Sequence, residues 1–437
     1  MEKLIITGPA RLRGSLPVSG SKNTALMLMS SALLAPGQTR ISNVPSLRDI
    51  STFSQVLRVL GAEVRISPES GDLVVDASDL TSHEAPYELV KKMRASFYTL
   101  GALLGRVGQA RVSLPGGCAW GPRPVDLHLK GLEALGAEIE LDHGYVVAKA
   151  KGGRLTGGTF RFEQSSVGAT VNLLLAAVLA SGSSRLDNVA IEPDIVELAL
   201  ALRKMGARIE GLGTHSLEIE GVEALTPTSI RNCADRIELG TFMLAAAMSG
   251  EPGQPIRMTG AGTEHLGDVF VDALTEAGAV ISSEDDAVTV VPPDELRAVP
   301  IVTGVYPGFP TDLQAQWVVM MTQAAGTSTV RDPIYPDRFA HIPELARLGA
   351  DVSVDGDSAT IVGGSKLTGA SVMSTDLRAS VSLVMAGMVA EGDTHVLRIY
   401  HLDRGYDQLE TKLSAAGIPV RRERYDEFSQ PVPHLFN

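Results

Sequence analysis

One helix–glycine–strand pattern recurs six times along this chain of 437 residues. Each copy has the end of a helix, a glycine, and then a strand of alternating apolar and polar residues, as in VLGAEVRI and RLGADVSV. Consecutive glycines are 68 to 75 residues apart, at Gly61, Gly136, Gly206, Gly278, Gly349 and Gly417. A fixed period means that one supersecondary unit is used repeatedly. The chain is therefore predicted to consist of six copies of one unit.

A second helix, followed by a glycine and a strand, stands earlier in each period. These helices, of which VGATVNLLLAAVLA is an example, are apolar on nearly every face, which is typical of buried helices. We expect a left-handed glycine to end each of them: Gly37, Gly108, Gly182, Gly253, Gly326 and Gly392. The helices of the first pattern are amphipathic and are predicted to lie outside, with one face inward.

Together the two patterns give a β-α-β-α-β-β unit whose last two strands form a hairpin. The sixth unit lacks its return strand, and we expect the N-terminal segment KLIITG to supply it. The fold class is then α/β, with two domains of three units each. The predicted domains are residues 22–230, and residues 1–21 with 231–437. A cleft between two domains is the usual binding site.

Composition excludes several classes of protein. A net charge of −13 argues against nucleic acid or an anionic membrane as a partner. No apolar run approaches the ~20 residues needed to cross a bilayer, and no signal-peptide pattern is present. Two cysteines fit a reducing compartment, so a cytoplasmic location is expected. No cluster has metal-ligand spacing, so neither a metal nor another cofactor is expected.

Basic residues stand at several predicted helix starts. A cation is unfavourable at a helix N-terminus, because the backbone N–H groups there attract anions. Helix capping therefore does not explain why basic residues stand at these positions. We therefore predict a functional role for Lys22, Arg94, Arg378 and Arg404. If both domains direct such ends at the cleft, the substrate is multiply anionic. Acidic residues at similar positions are expected to be N-caps: Asp49, Asp194 and Glu264.

The segment SLPGGCAWGPRPVDLHL, residues 113–129, carries Cys118 behind two glycines and close to arginine. Such a cysteine is either a reactive thiol of lowered pKa or a small apolar residue in a turn, and the residues alone leave both open. Cys233 has no comparable setting and is predicted to be structural. His128, at the start of the following helix, is the one histidine that we single out.

Eight motifs occur in order along the whole chain: SGSKNTAL, MRAS, PGGCAWGPRPVDLHLKGLEALGA, SSVGAT, ADRIELGTF, GFPTDLQAQ, TDLRAS and YHLDRGY. They resemble the family of UDP-N-acetylglucosamine enolpyruvyl transferases. The resemblance implies an inside-out α/β barrel of two three-unit domains. It also implies transfer of the enolpyruvyl group of phosphoenolpyruvate to the sugar 3-hydroxyl, with release of phosphate by addition and elimination. This is the first committed step of peptidoglycan synthesis.

The same resemblance implies roles for individual residues. Cys118, in a loop over about residues 113–124, would be the general acid and the target of fosfomycin, and Asp312 would be the base. Lys22, Arg123 and Arg404 would hold phosphoenolpyruvate. Uracil would be held by Arg123, Pro124, Val125, Asp126 and Leu127, and the diphosphate by Ser166, Val167 and Gly168. The remaining implied substrate-binding residues are Asn23, Arg94, Asp235, Ile334, Arg338, Asp376 and Arg378.

Three other functions remain open at this point. The acceptor could be a uridine nucleotide, as in enzymes of nucleoside-antibiotic pathways, or shikimate 3-phosphate, whose enzymes lack the cysteine loop. A paralogue that binds a UDP-sugar without catalysis is the alternative from another class. The presence of Lys22, Cys118, Asp312 and Arg404 together argues against such a regulator, which needs none of them.

Overall fold

The computed structural model describes residues 1–67, 69–115 and 125–426. Within it the chain divides into two domains. Domain I is Ser19–Asp235, and domain II is Met1–Val18 together with Arg236–Asn437.

The strands of the described residues are short and spread evenly along the chain. They are Glu2–Gly8 (β1), Ser15–Pro17 (β2), Gln38–Ser42 (β3), Glu63–Ser67 (β4), Asp72–Asp76 (β5), Glu84–Ala85 (β6), Gln109–Ser113 (β7), Ala137–Asp142 (β8), Tyr145–Ala150 (β9), Thr159–Arg161 (β10), Ser183–Asp187 (β11), Arg208–Glu210 (β12), Ser216–Glu220 (β13), Ser229–Arg231 (β14), Ile256–Thr259 (β15), Val280–Glu284 (β16), Ala287–Val291 (β17), Ile301–Val302 (β18), Thr327–Arg331 (β19), Asp351–Asp355 (β20), Ser358–Val362 (β21), Ser371–Met373 (β22), Gly392–Leu397 (β23) and Val420–Arg424 (β24).

Helices alternate with these strands. They are Lys22–Ser31 (α1), Arg48–Val59 (α2), Tyr87–Val90 (α3), Thr99–Val107 (α4), Asp126–Ala134 (α5), Val167–Ala177 (α6), Pro193–Lys204 (α7), Arg236–Ser249 (α8), Asp268–Glu276 (α9), Gln314–Thr322 (α10), Ile342–Arg347 (α11), Leu377–Val389 (α12) and Leu409–Ala415 (α13). Short 3-10 turns include Arg94–Tyr98, Thr311–Leu313 and Ile399–Arg404.

The strands form six four-stranded sheets of one topology among the described residues. In β6-β7-β9-β8, for example, the first pair is parallel and the other two pairs are antiparallel. A buried helix connects the parallel pair, an outer helix follows, and a hairpin closes the sheet. This confirms the predicted β-α-β-α-β-β unit. Two short strands depart from chain order: β14 pairs with β3, and β2 pairs with β15.

The N-terminal strand completes the sixth sheet, as predicted. β1 lies between β23 and β24 and is antiparallel to both, with Leu4 opposite Val396 on one side and Arg422 on the other. Leu4 and Ile6 are fully buried. The first strand of the chain and the strand Val420–Arg424 are therefore part of one sheet.

Three apolar helices fill the interior of each domain, α1, α4 and α6 in domain I and α8, α10 and α12 in domain II. Every residue of α10 is buried, and so are 13 of the 14 residues of α8. The outer helices bury one stripe only: α13 buries Leu409 and Leu413, which are one helical turn apart. The helices lie inside and the sheets outside, which confirms the inside-out arrangement.

The glycines of the repeating pattern explain why each outer helix turns into a strand at the same place. Their φ angles lie between 91° and 112°, a region that residues with a Cβ rarely adopt. The expectation for the second glycine series was too simple. Gly108 directly follows its helix, whereas the other five glycines lie three to six residues beyond theirs, either in the turn to the next strand or, for Gly392, at the first residue of that strand.

Gly182 contradicts the expectation of a left-handed cap outright, because its φ is not positive. Glycine is needed there for a different reason. A Cβ at this position would lie 2.6 Å from the carbonyl oxygen of Thr156, so only glycine allows the two backbones to approach.

Within the described part of the chain, no helix combines the length and the apolar character needed to cross a membrane.

The position of β1 predicts that the first residues contribute to stability. Leu4→Ala should lower the free energy of unfolding by about 2–5 kcal/mol, because it leaves a cavity beneath a central strand. Arg13→Ala, an exposed position in the same N-terminal segment, should change it by less than about 0.5 kcal/mol. Urea unfolding followed by circular dichroism measures both. Equal effects of the two substitutions would contradict the central position of β1.

Candidate functional site

The start of α1 places a lysine between two carboxylates of domain I. Nζ of Lys22 lies 3.7 Å from Oδ2 of Asp49, with 12% and 6% of the two side chains exposed. The backbone N–H of Lys22 donates to Oδ2 of Asp235 at 3.2 Å. Asn23, the next residue, is partly exposed. The negative carboxylates offset the charge of a lysine held at a helix N-terminus.

Asp194, in the first turn of α7, binds side chains at the start of α1. Its Oδ1 accepts hydrogen bonds from Oγ1 of Thr24 at 2.7 Å and from Oγ of Ser21 at 3.3 Å. Our expectation that Asp49, Asp194 and Glu264 are N-caps is wrong. Each lies inside the first turn of its helix, after the cap position. The carboxylates of Asp49 and Asp194 instead bind side chains at the start of α1.

A buried amide in α6 fixes a histidine of α5. Oδ1 of Asn172 accepts from the backbone N–H of Gly101 at 2.7 Å, and its Nδ2 lies 3.1 Å from the carbonyl oxygen of Phe97 and 2.8 Å from Nδ1 of His128. An amide nitrogen can only donate, so Nδ1 of His128 accepts. The ring proton of the neutral histidine is therefore on Nε2.

His128 is held neutral by its surroundings. Burial, and then the positive charge of Arg94, lower its pKa to about 3. Gly168, the second residue of α6, lies against this ring: a Cβ there would be 3.2 Å from Cε1 of His128. Ser166 caps the helix, with its side chain accepting from the backbone N–H of Ala169 at 3.4 Å. The second residue of α6 thus lies against His128, and Arg94 is near enough for its charge to act on the ring.

The uracil-binding residues predicted from the resemblance begin α5. Val125 is the residue before the helix, and Asp126 is its first residue. Asp126 is exposed and pairs with Lys130 one turn later, with 3.8 Å between Oδ2 and Nζ. Leu127 is partly buried. The predicted residues that lie outside the described ranges are Cys118, Arg123 and Pro124.

In domain II two arginines hold one carboxylate. Oδ1 of Asp312 accepts from Nη2 of Arg338 at 2.6 Å, and Oδ2 accepts from Nη2 of Arg378 at 2.8 Å. The exposed fractions are 30% for the Asp312 side chain and 9% and 7% for the arginines. Three predicted site residues, far apart in sequence, are thus brought within hydrogen-bond distance.

These two cations determine the state of the carboxylate. Burial alone would raise the pKa of Asp312, but the charges of Arg378 and Arg338, with their hydrogen bonds, hold it well below its ordinary value. Asp312 is therefore ionised at neutral pH. The group carries two positive charges against one negative, in a chain whose net charge is −13. Guanidinium groups bind anionic ligands through charge-assisted hydrogen bonds.

Asp376 and Arg404 stand at two other helix ends of domain II. Asp376 caps α12, with Oδ1 accepting from the backbone N–H groups of Arg378 and Ala379 at 2.8 and 3.1 Å. Asp376 is therefore an N-cap, unlike Asp49 and Asp194. The same hydrogen bonds fix the backbone of Arg378. Arg404 ends the 3-10 turn Ile399–Arg404 and is partly exposed.

Sequence reasoning missed the polar network beneath this group. Nε2 of Gln316, buried in α10, lies 3.1 Å from the carbonyl oxygen of Asp312, 3.1 Å from Oγ1 of Thr241 and 3.3 Å from Oη of Tyr406. Tyr406 follows Arg404 by two residues, so Gln316 links the segments that carry both. The sequence signal for this network was the presence of glutamine in α10, a helix of mostly apolar residues.

A second omission is Asp332, a fully buried aspartate after β19. Oδ1 accepts from the backbone N–H of Ile334 at 3.1 Å, so the predicted residue Ile334 belongs to a turn built around this carboxylate. The sequence signal was an aspartate before proline, which commonly starts a turn.

Cys233 lies in a setting that suppresses thiol reactivity. Burial, and next the negative charge of Asp194, raise the pKa of its thiol to about 12. Its Sγ donates to Oγ1 of Thr24 at 3.4 Å. A thiol of this kind is not nucleophilic at neutral pH.

Comparison with known proteins gives consistent results along the chain. Residues 6–413 match the family model of EPSP synthase (3-phosphoshikimate 1-carboxyvinyltransferase). A UDP-N-acetylglucosamine 1-carboxyvinyltransferase from Chloroherpeton thalassium is 51% identical over 99% of both chains. The protein of the same name from Trichlorobacter lovleyi is 51% identical over 97% of this chain and 99% of its own.

Solved structures agree with the fold. The enolpyruvyl transferase NikO from Streptomyces tendae superposes with a TM-score of 0.87 at 27% identity, covering 96% of this chain and 98% of its own. An EPSP synthase from Acinetobacter baumannii superposes with a TM-score of 0.76 at 18% identity, covering 97% of this chain and all of its own. The second likeness concerns the fold alone.

The setting of His128 predicts a pH dependence of stability. Its pKa is about 3 in the folded chain and 6.5 as the ordinary value, so between these values the unfolded chain binds the proton more readily. Stability should fall as the pH drops below 6.5, by up to about 1.4 kcal/mol per pH unit from this residue.

Urea unfolding of the wild type and of His128→Gln between pH 8 and pH 5 measures this contribution. Above pH 7 the two stability curves should run parallel, and below pH 6.5 the wild type should lose stability more steeply. Parallel curves over the whole range would contradict the neutral, buried histidine.

Proposed function

The chain belongs to the EPSP synthase family of carboxyvinyl transferases, and on that premise we propose that it transfers the enolpyruvyl group of phosphoenolpyruvate to the 3-hydroxyl of UDP-N-acetylglucosamine. The identity of about 50% over nearly the whole length to enzymes of that name supports this acceptor. The observation that carries the proposal structurally is the Asp312 carboxylate held by two buried guanidinium groups.

The reaction proceeds by addition and elimination. The sugar hydroxyl oxygen bonds to C2 of phosphoenolpyruvate, C3 gains a proton, and the hydroxyl proton goes to a base. In the elimination, the bond from C2 to the phosphate oxygen breaks and C3 loses a proton. The products are the enolpyruvyl ether and inorganic phosphate. The protein must therefore bind several anionic groups and provide both an acid and a base.

Asp312 is the proposed base for the sugar hydroxyl. It is ionised, as a base must be, but the two arginines make it a weak one while both contact it. Substrate anions compete for the same guanidinium groups. When those anions share the guanidinium charge while the contacts to Asp312 remain, the pKa of Asp312 rises toward its ordinary value and the carboxylate becomes a better proton acceptor.

The remaining roles follow the family resemblance and stay proposals. Cys118 is the general acid. Lys22, Arg123 and Arg404 bind the phosphate and carboxylate groups of phosphoenolpyruvate. The other proposed contacts to the acceptor involve Asn23, Arg94, Pro124, Val125, Asp126, Leu127, Ser166, Val167, Gly168, Asp235, Ile334, Arg338, Asp376 and Arg378. The capped start of α6, which offers backbone N–H groups, supports the diphosphate assignment to residues 166–168.

The alternative acceptors are less well supported. Identity to NikO is 27%, against 51% to the UDP-N-acetylglucosamine enzymes. A non-catalytic regulator would not need a base held by two arginines. The proposal further includes a cytoplasmic location, which the low cysteine content supports, and no nucleic-acid partner, which the net charge of −13 supports.

A phosphate-release assay tests the reaction and the acceptor together. The purified protein, with phosphoenolpyruvate, should release phosphate when UDP-N-acetylglucosamine is added. UMP or shikimate 3-phosphate in its place should give a rate at least a hundredfold lower. Mass spectrometry of the nucleotide product should show the added enolpyruvyl group. Release with UMP but not with UDP-N-acetylglucosamine would assign a nucleotide acceptor instead, and the absence of phosphate release with every acceptor would favour the regulator.

Fosfomycin labelling tests the choice of cysteine. We expect one equivalent of label on the wild type and none on Cys118→Ala. Cys233→Ala should be labelled like the wild type, because the partly buried Cys233 thiol, with its pKa raised to about 12, is not nucleophilic at neutral pH. Intact-protein mass spectrometry counts the adducts. Label that persists on Cys118→Ala would refute the assignment.

A further inference from the structure

Asp332 is the most heavily hydrogen-bonded buried carboxylate around the Asp312 group. It is fully buried. Oδ1 accepts from Oγ1 of Thr303 at 2.7 Å and from the backbone N–H groups of Ile334 and Tyr335 at 3.1 and 3.0 Å. Oδ2 accepts from Oγ1 of Thr311 at 2.6 Å. A buried carboxylate needs such partners, and here they come from three separate segments of domain II.

The contact to Thr311 continues to the proposed base. A threonine hydroxyl has one proton, and here it goes to Asp332. The hydroxyl oxygen is then left as an acceptor, and it accepts from Nη1 of Arg338 at 3.0 Å. Nη2 of the same guanidinium donates to Oδ1 of Asp312 at 2.6 Å. The directions follow from the chemistry of the groups: the Thr311 hydroxyl donates its one proton to Asp332, and a guanidinium can only donate.

We propose that Asp332 is a positioning residue for the reaction, which acts through the Thr311 hydroxyl and Arg338 to hold Asp312 in its reactive orientation. The inference rests on the proposed function, in which Asp312 is the base. Asp332 is fully buried, and the family resemblance assigns no role to it. A residue that only anchored the turn after β19 would have no reason to orient the Thr311 hydroxyl.

The isosteric substitution Asp332→Asn separates the positioning of Asp312 from the anchoring of the turn after β19. The amide oxygen can keep the three donors at the Oδ1 position, which preserves the turn. The amide NH₂ then faces Thr311 and cannot accept its proton. It donates to the Thr311 oxygen instead and competes with Arg338 for it. The expected result is a loosened Arg338, and an Asp312 held mainly by Arg378.

Steady-state kinetics with phosphoenolpyruvate and UDP-N-acetylglucosamine test the inference. Asp332→Asn should lower kcat by about tenfold to a hundredfold, as small displacements of reacting groups do. KM for both substrates should change by a smaller factor than kcat, because Asp332 itself contacts neither substrate. The acid limb of the kcat–pH profile should move to higher pH, because a carboxylate that loses one cation has a higher pKa. Thr311→Val should give the same changes, and the double variant should be no worse than either single one.

Thr303→Val is the matched control, because Thr303 donates to the same carboxylate and no described contact links it to Arg338. It should leave kcat within twofold and the pH profile in place. If Asp332→Asn does not fold, Thr311→Ser and Thr311→Val replace it: serine should retain the wild-type profile and valine should not. An unmoved acid limb in Asp332→Asn, multiplying effects in the double variant, or equal effects of serine and valine would each overturn the inference.

Failure of the proposed function gives a different result. In that case the wild type itself releases no phosphate with UDP-N-acetylglucosamine. The hydrogen-bonded chain can still be tested by unfolding: the double variant Asp332→Asn/Thr311→Val should shift the urea midpoint no more than the larger single shift. Additive shifts would overturn the coupling between the two residues without reference to activity.

Discussion

The burial of three apolar helices inside each domain is the constraint on which the rest of this structure depends. A helix that is surrounded on every side, as α10 is, has no exposed face that could carry a functional side chain. Polar groups that can reach a ligand then lie at its ends, where backbone N–H groups and carbonyls need partners in any case. The residues of the candidate site follow this rule. Lys22 begins α1, Ser166 caps α6, Asp312 lies in the turn before α10, and Asp376 caps α12.

A second consequence concerns charge. Arginines at buried positions need anionic partners, and in domain II two guanidinium groups share the carboxylate of Asp312. In domain I the lysine at the start of α1 lies near Asp49, and its backbone N–H binds Asp235. A local charge pattern, not the net charge of the chain, therefore decides which ligands are attracted.

The sequence predicted what depends on local conformation and on periodicity. The hairpins and the buried helices follow from patterns within about seventy residues. The place of β1 follows from the return strand that the sixth repeat lacks. Long-range polar partners were not predictable in this way. Nothing near Asp194 in sequence indicates that it binds Ser21 and Thr24, and this is why a local rule made it an N-cap. Asp332 and Gln316 were missed for the same reason: their roles arise only when segments from several repeats meet.

One of the two short strands that depart from chain order, β14, leads directly to the start of α1 in the candidate site. β14 joins the sheet of β3, and the residues that follow it run antiparallel to the chain before α1. Gly20 pairs with Ala234, the N–H of Ser21 donates to the carbonyl of Cys233, and the N–H of Asp235 donates to the carbonyl of Ser19. The ladder ends where Asp235 accepts from the N–H of Lys22. The start of α1 is thus tied to the segment by which the chain leaves domain I. Cys233 is partly buried within this ladder. The order of the repeat changes here, because the strand that pairs in parallel with β3 comes from Ser229–Arg231, at the end of domain I.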